Sequence, residues 1–110
     1  MNLSAQLRAQ VLERDQHRCQ SCGTFIFNRW YSIQHRIARG VGGANELANL
    51  VTLCGSATSA GCHRKCEDRD DDMHRRGLWL GSWENVLDVP IHTWDGRIVY
   101  LSNDTEATIS

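Results

Sequence analysis

Apolar residues change their spacing repeatedly along this chain, and each change predicts an element. Leu3, Leu7 and Val11 recur at helical spacing with Leu12 beside the last, so an amphipathic helix is expected over residues 2–14, capped by Asn2 or Ser4. The run FIFNRWYSI is aromatic and β-branched and predicts extended chain, with a strand over residues 31–37. RGVGGANELAN reads as a glycine-rich loop, and LVTL is a short apolar strand returning to Cys54. A second helix is expected from Gly61 or Cys62 to about Arg76, with Arg75 and Arg76 in its last turn and Gly77 at its end. IHTWDGRIVYL predicts a hairpin in which Asp95-Gly96 supplies the positive φ values of a type I′ turn. In that register Trp94 faces Arg97 and His92 faces Val99. The order of elements is that of a small α+β domain.

Length and composition fit one domain. The chain has 110 residues, of which 41% are apolar, and the elements run over 1–101, leaving 102–110 as an expected flexible tail. A chain of this size buries only roughly two-thirds of its unfolded surface, so its core is thin and a metal would help hold it. No stretch approaches the ~20 apolar residues of a membrane span, and MNLSAQLRAQ lacks the apolar centre of a signal peptide. A cytoplasmic location with no membrane partner is therefore expected, where clustered cysteines favour metal over disulfides. The net charge of −1 conceals an asymmetry: residues 1–66 carry eight Lys and Arg against three acids, and residues 67–110 carry four against ten. A basic first part suits a phosphate-binding surface, although zinc on four thiolates would offset about two of its charges.

The cysteines carry the strongest local signal. Cys19 and Cys22 form a C-x2-C knuckle, with Gly23 permitting its tight turn, and Cys54 and Cys62 flank the loop GSATSAG. Each pair supplies two thiolates, which makes one tetrahedral site for structural zinc. Seven residues between the second pair exceed the usual spacing; glycines at 55 and 61 let that loop fold back. Cys66 is the odd cysteine, and Cys66 or His17 could replace one of the four.

His35 lies between the pairs in SIQHRIARG, Asn49 follows in ANLVTLC, and His63 abuts the last ligand in GCHRK. With VLERDQHRCQSCG before them, these segments resemble the HNH endonucleases, among them the small HNH proteins of actinobacterial bacteriophages. The resemblance is specific from about Arg8 to His63 and looser to Tyr100. It implies a zinc-stabilised ββα-metal domain, treble-clef-like, with an N-terminal helix and a C-terminal β-hairpin. It further implies a metal-dependent endodeoxyribonuclease that nicks or cuts DNA with little sequence preference. In that frame His35 is the general base, Asn49 holds the loop and orients the His35 ring, and His63 binds a divalent ion. Magnesium or manganese is expected there, and imidazole also suits zinc or nickel. Work beside phage terminase subunits in genome packaging, by a monomer in the host cytoplasm, is implied in the same way.

The residue before the base is usually His or Asp in that family and ligates the metal; here it is Gln34, a neutral and weaker ligand. Glu67 lies four residues after His63 and so shares its helical face, either as a compensating ligand or as part of a solvated acidic face with Asp70 and His74. Arg36 and Arg39 flank the base, and Arg64 and Lys65 flank His63, as phosphate contacts would. Trp30, Trp79, Trp83 and Trp94 are expected to pack a core. Two functions fit: the nuclease, and a zinc-stabilised DNA-binding module of the same fold without cleavage.

Overall fold

The computed structural model describes residues 3–56 and 61–104. The chain begins with α1 (Ala5–Arg14), whose N-terminus is capped by Ser4: its hydroxyl accepts from the Leu7 amide at 3.1 Å. Asn2, the other expected cap, lies outside the described residues. The knuckle leads to β1 (Tyr31–His35), and two single 3-10 turns, Arg39–Val41 and Leu47–Asn49, bracket the glycine-rich loop before β2 (Leu50–Cys54). β1 pairs antiparallel with β2, with Gln34 opposite Val51 and His35 opposite Leu50.

β2 is buried along LVTL because both faces of this hairpin are covered. Side chains alternate across a strand, so Val51 and Leu53 belong to one core and Leu50 to another. The larger core joins Val51 and Leu53 to Cys62, Cys66, Met73, Leu78, Leu80 and Ile91 from the second half of the chain. The smaller one joins Leu50 and Ile33 to Val11 of α1, with Leu3, Leu7 and Leu12 against it. A buried polar clamp fixes α1 there: the Arg14 guanidinium donates to the Leu47 and Leu50 carbonyls at 2.8 and 2.5 Å. Asp15 accepts the Thr52 amide at 2.8 Å.

The expected single helix over 61–76 is two helices, α2 (Cys62–Glu67) and α3 (Asp71–Arg75). Arg69 breaks the run with φ 58°, and Asp70 then starts a new helix, its carboxylate accepting the Met73 amide at 3.1 Å. Asp71 and Asp72 occupy the first turn of α3. DRDDD is thus a cap and an acidic first turn, which stabilise a helix start through its free amides and positive dipole end.

The C-terminal hairpin forms one register away from expectation. β3 (Ile91–His92) and β4 (Ile98–Val99) pair with His92 opposite Ile98, not Val99. Thr93 closes the loop against Arg97, its amide donating to the Arg97 carbonyl at 2.9 Å, so the turn has three residues. Gly96 alone within it takes positive φ, at 84°. A type I′ turn would also force Asp95 into the left-handed region, which costs an L-residue; the three-residue turn leaves that conformation to glycine. Asp95 instead accepts from Thr93 Oγ1 at 2.5 Å and Arg97 Nε at 2.9 Å.

Three other expectations change in the folded chain. Arg36, read as a phosphate contact, is fully buried and donates to the carbonyls of Gly77, Ala48, Val86 and Val89. Burial pulls its guanidinium down to about 10, and the neighbouring Arg14 charge adds to that shift. Trp30 and Trp83 do not pack: they are 81% and 78% exposed, while Trp79 packs against the larger core and its indole N–H meets the Asp70 carbonyl. The expected tail begins with anchored residues, since Asn103 accepts the Ala48 amide at 2.8 Å and reaches Glu46. Residues 105–110 of that tail lie outside the described residues.

Candidate metal centre and adjoining cleft

Cys19, Cys22, Cys54 and Cys62 converge from the knuckle, the end of β2 and the first turn of α2, with all four sulfurs within 4.8 Å of one another. The Cys22 and Cys54 sulfurs are 3.8 Å apart as free thiols, which rules out a disulfide between them. That separation is the edge of a tetrahedron with metal–sulfur bonds of ~2.3 Å, the zinc–thiolate length. The donor set therefore fits one metal ion and is compatible with structural zinc. The contact with Cys62 and then burial push the Cys19 thiol up, and burial does the same to Cys54.

Gly61 makes the second pair close. It has φ 119°, and a Cβ there would lie 2.8 Å from the Gly55 Cα and 2.9 Å from the Cys54 carbonyl oxygen. Most of the loop between, residues 57–60, lies outside the described residues. Cys66 stays apart from the cluster. It is buried in the larger core with its sulfur toward the Leu78 carbonyl, and burial pushes its thiol up to about 12.

Beside this centre a cleft of about 570 Å³ runs along β1, lined by consecutive residues from Tyr31 to Arg36 and by His63, Cys66, Glu67 and Arg69. His35 and His63, 28 positions apart in sequence, thus share one cavity. Gln34 lines it too, nearly buried, on the sheet face it shares with Val51 and hence with α2. The His63 Nε2 and a Glu67 carboxylate oxygen are 3.4 Å apart, a turn of helix bringing both to one spot. Burial lowers the His63 pKa and Glu67 partly opposes it, so the ring favours its neutral form, the form that ligates metals. Its Nδ1 is buried without a hydrogen-bond partner.

Asn49 holds the loop as expected but does not touch the His35 ring. Its side chain accepts the Ile37 amide at 2.8 Å and donates to the Ile37 and Ala44 carbonyls at 3.1 and 3.0 Å. The ring contact comes from Asn45, whose Oδ1 lies 2.7 Å from His35 Nε2. Of the arginines and lysine expected near phosphate, Arg39 lines the cleft, whereas Arg64 and Lys65 face outward from α2 and Arg64 pairs with Asp68 at 3.1 Å. Arg8 of α1 and Arg69 after α2 line the cleft instead. Helical spacing alone could have flagged Arg8 on the polar face of α1; Arg69 required knowing that the chain turns there. No family model, curated protein or solved structure matches this chain.

Proposed function

We propose that this chain is a metal-dependent HNH-type endonuclease that hydrolyses DNA phosphodiester bonds with little sequence preference. The observation that supports this reading is the cleft itself: one cavity is lined by His35 and by the convergent pair His63 and Glu67. A pure binding module has no need of an imidazole base in the same cavity as a candidate metal-ligating pair. Zinc on the four cysteines is the structural ion, a closed shell that leaves no position for water. A second, divalent ion held by His63 and Glu67, with the Gln34 carbonyl as a further neutral ligand, would stabilise charge on the scissile phosphate and the leaving 3′ oxygen.

His35 takes the proton from the attacking water, since a neutral imidazole is a competent base at physiological pH. Arg8, Arg39 and Arg69 bring positive charge to the cleft and hold the backbone phosphates without reading sequence. Asn49 keeps the loop closed behind His35. The neutrality of Gln34 favours one other reading, a DNA-binding module of the same fold without cleavage. Supercoiled plasmid incubated with zinc-loaded protein and magnesium, manganese, nickel or added zinc separates the two. Relaxed or linear DNA in the presence of one of these ions is expected; retarded but uncut plasmid with all of them would leave the binding module.

A further inference from the structure

The hydrogen bond between His35 and Asn45 determines which ring nitrogen is available for chemistry. An amide oxygen can only accept, so with Asn45 Oδ1 at 2.7 Å the His35 Nε2 must carry the hydrogen. The other nitrogen, Nδ1, is then the one with a lone pair. Were Asn45 to present its NH2 group instead, Nε2 would become the acceptor and Nδ1 would carry the hydrogen, which removes it as a base.

The loop around Asn45 is held on both sides of that residue. Asn49 accepts the Ile37 amide and donates to the Ala44 carbonyl, one residue before Asn45. The Gly43 amide donates to the Ala38 carbonyl at 3.0 Å, and the Asn49 amide to the Glu46 carbonyl at 2.9 Å. Glu46 is itself tethered to Asn103. Bonds on either side of Asn45 therefore hold its backbone, and its side chain reaches the His35 ring. Its neutrality matters as well: a carboxylate at this distance would favour the imidazolium, in which neither nitrogen can accept a proton.

We propose that Asn45 is a positioning residue that fixes the Nε2–H tautomer of His35 and thereby makes Nδ1 the base. This rests on the nuclease reading for its catalytic consequence and on the hydrogen bond alone for the tautomer, so the two can fail separately. Asn49, in this arrangement, acts at one remove by holding the loop.

The test uses zinc-loaded, 15N-labelled protein with magnesium. Long-range proton–nitrogen spectra of the His35 ring report which nitrogen is protonated, and plasmid cleavage is measured on the same samples. The parent is expected to show the Nε2–H form. Asn45→Ala should bring in the Nδ1–H form and lower kcat about 10- to 100-fold with KM little changed, the size of effect seen when a partner that orients a histidine is lost. Its Ile37 amide signal should stay in place, which separates loss of the ring contact from collapse of the loop. Asn45→Asp places a carboxylate there and should bring in a ring protonated on both nitrogens, again lowering kcat. A parent spectrum of the Nδ1–H form, or an Asn45→Ala variant with unchanged spectrum and unchanged kcat, overturns the proposal. A parent that cleaves nothing overturns the nuclease reading and Asn45's part in it, while the spectra still decide the tautomer.

Discussion

Arg36 and Arg39 stand three positions apart in sequence, flank the same histidine and do opposite work. Arg36 is buried against four carbonyls and ties β1 to the chain beyond Gly77, whereas Arg39 lines the cleft. Removing the Arg36 guanidinium leaves those buried carbonyls unpaired, each at a cost of about 1–3 kcal/mol before relaxation. Arg36→Met should therefore destabilise the fold by roughly 3–5 kcal/mol in urea denaturation. Arg39→Ala and Arg69→Ala should leave stability nearly unchanged and each reduce the salt dependence of DNA binding by about one phosphate contact. A salt slope left as it was by both would place the DNA elsewhere. At His35 the expectation is chemical: His35→Ala should lower plasmid cleavage by ~10²–10⁴-fold while gel retardation persists. Nicking undiminished by that change would remove His35 from the mechanism.

Among the elements, α2 decides the most. It has six residues, too few for a helix to be stable alone, and it is held at Cys62 by the cysteine cluster and at Cys66 by the core. Those anchors leave His63 and Glu67 facing the cleft. The Gln34 carbonyl adds no charge to a site of this kind, so its divalent ion should bind weakly. Gln34→Asp should lower the manganese concentration needed for half-maximal cleavage, and Glu67→Ala should raise it. A midpoint unmoved by Gln34→Asp means that the ion is not held from β1. The break after α2 carries its own prediction. Asp70→Ala removes the cap of α3 and should cost ~1 kcal/mol of stability without touching cleavage.

For the whole molecule a metal ion on the four-cysteine cluster would offset the thin interior of a 110-residue chain. Its candidate ligands come from the knuckle before β1, the end of β2 and the start of α2, so the binding free energy of an ion there would be folding free energy. One zinc per chain is expected by elemental analysis. Cys19→Ser should unfold the chain, because structural zinc contributes on the order of 10 kcal/mol in small domains. Cys66→Ala should keep the full zinc content and lose only packing. Folded protein without zinc, or zinc lost with Cys66, would redraw the centre. The second half adds a further layer of support, since Arg76 reaches Ser21 of the knuckle at 2.7–2.8 Å and Trp94 donates its amide to Gln20 at 3.0 Å.

What the sequence determined by itself is what depends on near neighbours or on rigid chemical spacing. Leu3, Leu7 and Val11 announced α1, LVTL announced an apolar strand, and CQSC with Cys54 and Cys62 announced one cysteine cluster, from which the structure leaves Cys66 out. These are legible because periodicity and ligand geometry are local rules. DRDDD was legible in principle too, as an aspartate cap with an acidic first turn, but helical periodicity through 61–76 masked it. Tertiary structure alone decided the rest. A charged side chain carries no local mark of its burial, so Arg36 read as surface until the Gly77, Val86 and Val89 carbonyls closed on it. Trp30 read as core until the fold left it in solvent. Asn45 and Asn49 are chemically identical and four residues apart, and which one meets the His35 ring depends on how a glycine-rich loop returns to its strand. Glycine removes the steric restriction that would have written that path into the sequence, so only the hydrogen bonds of the folded loop could choose between them.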